Sequence, residues 1–372
     1  MNTPEMREKC AAELLAAESR LRAMSAFIGL DGFVDEILHV VDKRESATQF
    51  TRVLKISDFS TRLAAAAGKS ANVELVSKFT KLGGNGPIMA NALATFGLKV
   101  SYLGNLGYPN LHPVFEDFSR RADVCSIAEP GYTDALEFED GKIMLGKHRA
   151  LKDVNWENIG KRFGHEKFAQ KLGASDLIGF VNWTMLTQMS DIWSTVLKEV
   201  CPNLPSGRRK LFFDLADPEK RTTEDIVEAL RLIVAFQKYF DVTLGLNEKE
   251  SRQVAEHLGT SADSRSASSL LDLCQEIHRR VPVDTVLVHP TTCALASGPD
   301  GAFLVEGPFT PQPKITTGAG DHFNSGFCLG KLAGLSTELS LLTGVSTSGF
   351  YVRSAQSPTI TNLAELMRHW PK

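Results

Sequence analysis

Paired cysteines are missing from this chain. The six it has, Cys10, Cys125, Cys201, Cys274, Cys293 and Cys328, are scattered through 372 residues without any Cys-x-x-Cys spacing. That scatter argues against a structural zinc site or a disulfide framework, and the six read as reduced, mostly buried thiols. A charge excess is missing too: 41 Lys and Arg face 44 Asp and Glu, a formal net charge of -3. Without a global basic field, neither nucleic acid nor an anionic membrane is an expected partner, and a small molecule fits better. Long apolar runs are the third absence. Met1 to Ser25 carries Glu5, Arg7, Glu8, Lys9, Glu13, Glu18, Arg20 and Arg22, which excludes a secretory apolar segment there, and no later run approaches membrane-spanning length. The expected location is the cytoplasm. Internal repeats and low-complexity segments are lacking as well.

What is present is ordinary globular composition, 43% hydrophobic and 23% charged, on a chain long enough for a large core. Charges alternate with Ala and Leu at helical spacing from Pro4 to Met24, so residues 1–25 read as an accessory helix packed outside the core of a main domain over 26–372. Short apolar runs at Ala26 to Leu30, Lys99 to Leu103, Leu177 to Val181, Lys210 to Asp214, Val242 to Leu246 and Thr285 to His289 predict strands. Helical stretches around Met189 to Val200, Glu224 to Tyr239, Lys249 to Leu258 and Ala267 to Arg279 separate the later ones. This rhythm predicts an α/β fold, a mostly parallel central sheet with helices on both faces. Leu136 to Leu145 is different, because alternating residues around Asp140-Gly141 predict a hairpin. A two-stranded ribbon is marginal alone and needs a sheet or ligand to lie on, and a lid is one such use.

Three glycine clusters carry the chemistry. Gly29-Leu30-Asp31-Gly32 ends the first strand and delivers Asp31 and Asp35 to the sheet edge where open α/β folds bind ligands. Gly83-Gly84-Asn85-Gly86 precedes Pro87, expected at the first helical position, and a helix that Gly97 stops. Thr316-Thr317-Gly318-Ala319-Gly320-Asp321-His322-Phe323 runs from a bend into an apolar stretch. Glycines let backbone N–H groups converge, and a following helix adds unpaired donors and the positive end of its dipole, which suits phosphate. A carboxylate fixed beside such a pocket can accept a proton from a hydroxyl as that oxygen attacks phosphorus. By itself the bend is also compatible with a tight solvated turn. Asn182 and Thr184, Asp214 and Asp217, and Asn247 with Glu250 follow three further strands; each is an ordinary cap or turn residue alone, and together they line one edge.

In this order the motifs resemble those of the PfkB, or ribokinase-like, carbohydrate kinases, over about Phe27 to Val352. The resemblance rests on Gly29 to Asp35, Gly83 to Gly86, Gly104-Asn105-Leu106-Gly107, Asn247-Glu248-Lys249-Glu250 and Thr316 to Phe323. It implies a ribokinase-like fold with a small β lid, built from segments around 33–60 and 134–147. It implies Asp321 as catalytic base, with Gly318, Ala319 and Gly320 as the anion hole for the transferring phosphoryl group. Sugar binding falls to Asp31 or Asp35, with Asp31 slightly favoured, and to Gly84 and Asn85. Asn182, Lys147 and Arg149 are weaker candidates. Asn247 and Glu250 would organise hydrated Mg²⁺ on the nucleotide phosphates, Glu250 acting through water. Thr317 and His289 fall in the nucleotide-contacting segments, and ATP is the implied donor.

Departures from the family pattern are informative. Ile315 stands where an Asp usually precedes the glycine loop, which argues against potassium activation. His322 replaces a usual Ala, and reads either as a surface or capping residue or as a modulator of the loop. His289-Pro290-Thr291-Thr292-Cys293 replaces the usual Thr-x-Gly and keeps ADP open as donor. The implied function is a kinase of a sugar or sugar derivative. The alternatives are a nucleoside kinase of the same fold, with Phe33, Trp183 or Phe138 stacking a base, and a non-catalytic sugar or nucleotide sensor. An exposed lid edge offers pairing between subunits, so a homodimer is one expectation.

Overall fold

The computed structural model describes residues 2–260 and 266–371. The strands are β1 (Ser25–Leu30), β2 (Phe33–Arg44), β3 (Phe50–Arg52), β4 (Leu75–Gly83), β5 (Lys99–Gly104), β6 (Asp123–Ser126), β7 (Gly131–Glu137) and β8 (Lys142–Lys147). They continue with β9 (Leu177–Phe180), β10 (Arg209–Asp214), β11 (Phe240–Asn247), β12 (Thr285–His289), β13 (Cys293–Gly298) and β14 (Gly301–Glu306). Among the described residues nine of these form one sheet in the order β14-β13-β12-β11-β10-β9-β1-β5-β6. Among the described residues pairing is parallel from β12 to β6, and β13 alone runs against the rest, antiparallel to both β12 and β14. The parallel strands are apolar on both faces, Ala26 to Leu30 and Leu177 to Phe180 being buried throughout, because helices cover both sides.

Two apolar layers result. On one face Phe27, Phe168, Trp193, Phe213, Phe236 and Ile277 pack together, with Trp193 edge-on to Phe213 at 4.8 Å. On the other, the helices Asn85–Thr95, Ala319–Leu332 and Thr337–Ser354 enclose Met89, Phe96, Phe323, Phe327 and Leu342. The N-terminal helix, Pro4–Ala23, sends Cys10, Leu14 and Leu21 fully buried into this second layer, against the helix Ile360–Arg368. Among the described residues no helix is long and apolar enough to cross a membrane.

The chain leaves β1 towards β5 and β6 on one side, then returns to β9 and proceeds to β14 on the other. Strand order therefore reverses between β1 and β9, and the crevice above their carboxyl ends is the place where such sheets take ligands. Over it lies a second, curled sheet in which β2 pairs with β3, β4 and β7, and β7 pairs with β8 through the Asp140-Gly141 hairpin. Its outer face has its own small core: Leu38, Val40, Val53, Leu136 and Phe138, covered by the helix Ile56–Ala64 through Phe59. Strand β4 had no counterpart in the sequence reading. Its apolar residues Leu75, Val76, Phe79 and Leu82 stand at i, i+1, i+4 and i+7, closer to the period of a helix than to the alternation of a strand.

Candidate active site

Asp31 explains how the crevice is assembled. The helix Asn85–Thr95 begins after Gly84, whose φ of 95° needs glycine and which has no side chain to cap the helix. The Asp31 carboxylate supplies that cap from across the sheet: it accepts from the N–H groups of Asn85 (2.9 Å) and Gly86 (2.8 Å) and from Asn182 Nδ2 (2.7 Å). Its own carbonyl accepts from the Tyr102 hydroxyl. Asp31 is therefore fully buried and absent from the lining of the cavity, contrary to the preference for it as the sugar-binding carboxylate; burial pushes its carboxyl up to about 6. Pro87, expected at the first helical position, sits at the third, because this external cap lets the helix start at Asn85.

Asp35, four residues on in β2, faces the cavity instead, together with Phe33, Asn85, Thr133, Met144, His148, Asn182 and Asp321. The cavity holds about 390 Å³. Gly83 is required beneath it, since a Cβ there would lie 2.5 Å from the Asp35 carboxyl carbon. Burial raises the Asp35 carboxyl, while the nearby Lys81 and Lys142 ammoniums act to lower it. Lys81 lies on β4 and feels both Asp35 and Asp321; Lys142, on β8, reaches Thr317 Oγ1 at 3.4 Å. Neither lysine was singled out from the sequence. Lys147, which was, is held by Asp134 at 2.7 Å, and Arg149 is exposed.

The glycine loop closes the floor of this cavity. Gly318, with φ 92°, starts the helix Ala319–Leu332 and turns the loop amides towards the crevice. Among the described residues the N–H groups of Gly318, Gly320 and Asp321 have no acceptor, whereas that of Ala319 donates to Thr316 O at 3.1 Å. Ala319, expected to share in the anion hole, is in this structure the one amide of the three already engaged. Asp321 sits in the first turn of the helix, 8% exposed, and Asn85 Nδ2 donates to its Oδ1 at 2.9 Å. Burial above all, then the Asp31 charge, pushes the Asp321 carboxyl up to about 8; Asn85 and Lys81 pull the other way.

A second cavity, of about 370 Å³, opens on the far side of the same loop. Thr316, Ala319 and Gly320 line it, with His289, Phe309, Phe323 and Val345. Thr317, Gly318 and Asp321 line the first cavity, and Asn247 borders both. Thr317, expected among the nucleotide contacts, lines the cavity of Asp35 and Asp321 and not the second one. His289 is half-buried beside Phe323, with ring centroids 4.9 Å apart, and desolvation holds its pKa down to about 4.

Asn247 and Glu250 form a reciprocal cap on the helix Glu248–His257: Asn247 Oδ1 accepts from the Glu250 N–H (2.9 Å) and Glu250 Oε2 from the Asn247 N–H (2.8 Å). Glu250 Oε1 accepts from the Asp217 N–H, in a turn where Ala216 and Asp217 both have positive φ. Asp214, a strand-end residue named from the sequence without a role, is buried beside this pair. Asn324 Nδ2 donates to its Oδ2 at 2.9 Å, and its Oδ1 has no partner among the described residues. Burial, then Glu250 and Asp321, hold its carboxyl well above the ordinary range.

Of the aromatics offered for base stacking, only Phe33 lines the cavity. Trp183 is fully buried in the main core and Phe138 belongs to the lid core. His322 is not a surface residue: it is 2% exposed and stacked on Tyr351.

Two cavities meeting at an amide-rich loop with one carboxylate, on a doubly wound sheet under a β lid, are the architecture of a ribokinase-like sugar kinase, a phosphotransferase with an alcohol acceptor. The chain belongs to the prokaryotic ketohexokinase family, whose sequence model matches residues 2–370. A ketohexokinase of Haloferax volcanii is 28% identical over 367 residues, 98% of this chain and 96% of that protein. The fold is shared with Arabidopsis thaliana ribokinase complexed with ribose and ATP (TM-score 0.63, 14% identity, 93% of this chain and 98% of that one). It is shared likewise with Escherichia coli phosphofructokinase-2 (0.63, 12%, 93% and 99%) and a Methanocaldococcus jannaschii nucleoside kinase (0.57, 14%, 93% and 98%).

Proposed function

We propose that this kinase transfers the γ-phosphoryl group of ATP, bound with Mg²⁺, to a hydroxyl of a ketohexose. The observation that carries the reading is the loop itself, which presents unpaired amides and Asp321 between an acceptor cavity and a donor cavity. The sugar occupies the cavity of Asp35, Asn85, Thr133 and Asn182, whose carboxylate, amide and hydroxyl groups suit vicinal hydroxyls. Asp321 accepts the proton of the attacking hydroxyl. The new oxygen–phosphorus bond forms as the bond to the leaving ADP breaks, and the Gly318, Gly320 and Asp321 amides take up charge on the transferring group. The ketohexose follows from the Haloferax relative's name. A base-stacking acceptor is disfavoured by the packing of Trp183 and Phe138 away from the cavity.

The residues present fit a hydrated divalent cation. Among the described residues no three His, Cys, Asp or Glu groups stand together as a direct metal site, but Asp214 and Glu250 lie near enough for the Glu250 charge to raise the Asp214 carboxyl, and the Asp214 Oδ1 atom lacks a partner among the described residues. Both Glu250 oxygens already accept backbone N–H groups, so they would hold the ion through its water. When bound, Mg²⁺ neutralises charge on the nucleotide phosphates. The reading places the enzyme in the cytoplasm, with a sugar and a nucleotide as its partners.

A coupled turnover screen of ketohexoses, aldohexoses, sugar acids and nucleosides, with ATP or ADP as donor and with or without potassium, tests this. The expected result is highest kcat/KM for a ketohexose with ATP, unchanged by potassium; faster turnover of a nucleoside overturns the acceptor assignment. Asp321→Asn should keep ligand-induced thermal stabilisation while kcat falls by about 10²- to 10⁴-fold.

A further inference from the structure

The glycine loop is held from behind. Its amides can face a phosphoryl group only if its carbonyls face the other way, and each carbonyl has a partner. Thr316 O accepts from the Ala319 N–H. Thr317 O accepts from the Tyr351 hydroxyl at 2.9 Å, from the helix Thr337–Ser354. Gly318 O accepts twice from His322, from its backbone N–H at 3.1 Å and from ring Nδ1 at 2.7 Å. A carbonyl can only accept, so Nδ1 carries the proton, and Nε2 is left to accept from the Ser357 hydroxyl at 2.9 Å. The His322 ring stacks on Tyr351, with centroids 3.6 Å apart and planes 13° apart. Burial holds the His322 pKa down to about 4, so the ring stays in this neutral form across the physiological range.

We propose that His322 and Tyr351 form a clamp that preorganises the anion-binding loop, making them positioning residues for phosphoryl transfer. The inference rests on the kinase reading above. His322 follows Asp321 directly, so the residue that fixes the Gly318 carbonyl also continues the turn that presents the base. The clamp spans the loop's two outward carbonyls with two side chains from different helices, which resists rotation of either peptide plane. Positioning of this kind acts on the transition state, where displacement by about 1 Å reduces rate by about 100-fold, more than on ground-state binding of the sugar, whose proposed polar contacts are Asp35, Asn85, Thr133 and Asn182.

His322→Phe keeps the stacked ring and removes both side-chain hydrogen bonds; Tyr351→Phe removes one hydroxyl; His322→Asn restores a donor near the Nδ1 position. The expected pattern is a fall in kcat of about 10- to 100-fold for His322→Phe and Tyr351→Phe, with sugar KM within about twofold, and substantial recovery in His322→Asn. Stabilisation by ADP with beryllium fluoride, a mimic of the phosphoryl group, should fall in parallel, read as a smaller Tm shift than in the parent protein. A folded His322→Phe and Tyr351→Phe pair with parental kcat and parental Tm shift overturns the clamp. If His322→Phe does not fold, Tyr351→Phe decides alone by the same readouts. Failure of the parent protein to turn over any sugar with ATP would instead sink the kinase reading, so the two failures are distinct.

Discussion

As the proposed base, Asp321 must lose a proton before it can accept one, and its surroundings make that loss late. Its carboxyl is pushed from 3.8 up to about 8, with burial the main cause and Asp31 the next. Because kcat/KM reports the free enzyme, it should climb by about tenfold per pH unit below about 8 and level off above it; a profile already flat at about pH 6 would contradict the assignment. Stability moves oppositely. A carboxyl with a raised folded pKa contributes stability that is present below its unfolded value and is lost as pH rises through its folded value. Asp321→Asn should therefore gain Tm over the parent progressively between 3.8 and about 8, and gain no more above that. At this scale the sequence was legible as placement where a motif carried the residue: Asp321, Asn85 and Glu250 all line the first cavity. It misled where two carboxylates competed: Asp31 and Asp35 look alike in a string, and only the capping of a distant helix takes Asp31 out of the cavity.

At the scale of elements, the lid is where sequence reading fell short. The β7–β8 hairpin announces itself through alternation and Asp140-Gly141, but β4 does not, being mostly exposed and spaced in its apolar residues more like a helix than a strand. With β4 unseen, Lys81 stayed an anonymous surface lysine, although it lies near both Asp35 and Asp321 and burial lowers its pKa. Lys142, opposite on β8, reaches the loop at Thr317. Both ammoniums act on the Asp35 carboxyl, and Lys81 also on that of Asp321, so the lid brings two positive charges near the loop that the proposed reaction uses. Lys81→Met and Lys142→Met should each lower kcat by about 10-fold or more, with an unchanged far-ultraviolet circular dichroism spectrum. A lid with its own core around Phe59 and Phe138 can carry such changes without disturbing the main sheet.

Across the whole molecule, one sheet separates two apolar layers, and the N-terminal helix belongs to the second of them. Leu14 is fully buried there. Leu14→Ala is expected to cost about 2–5 kcal/mol in a urea titration while leaving kcat of the folded enzyme near the parental value. The crevice exists because strand order reverses between β1 and β9, and this sets the first-cavity loops on one side of the chemistry and those after β11 and β12 on the other.

What the sequence determined by itself was local: which segments are strands or helices, where glycine permits a bend, and which carboxylate follows the loop. These depend on periodicity and on conformations available to single residues. Tertiary structure alone decided which carboxylate lines the first cavity, which lid lysine acts on Asp321, and that His322 turns inward to its own loop. Those outcomes depend on groups far apart in the chain, such as Asp31 with Asn182 or Tyr351 with Thr317, whose meeting is set by strand order and burial and leaves no local spacing to read.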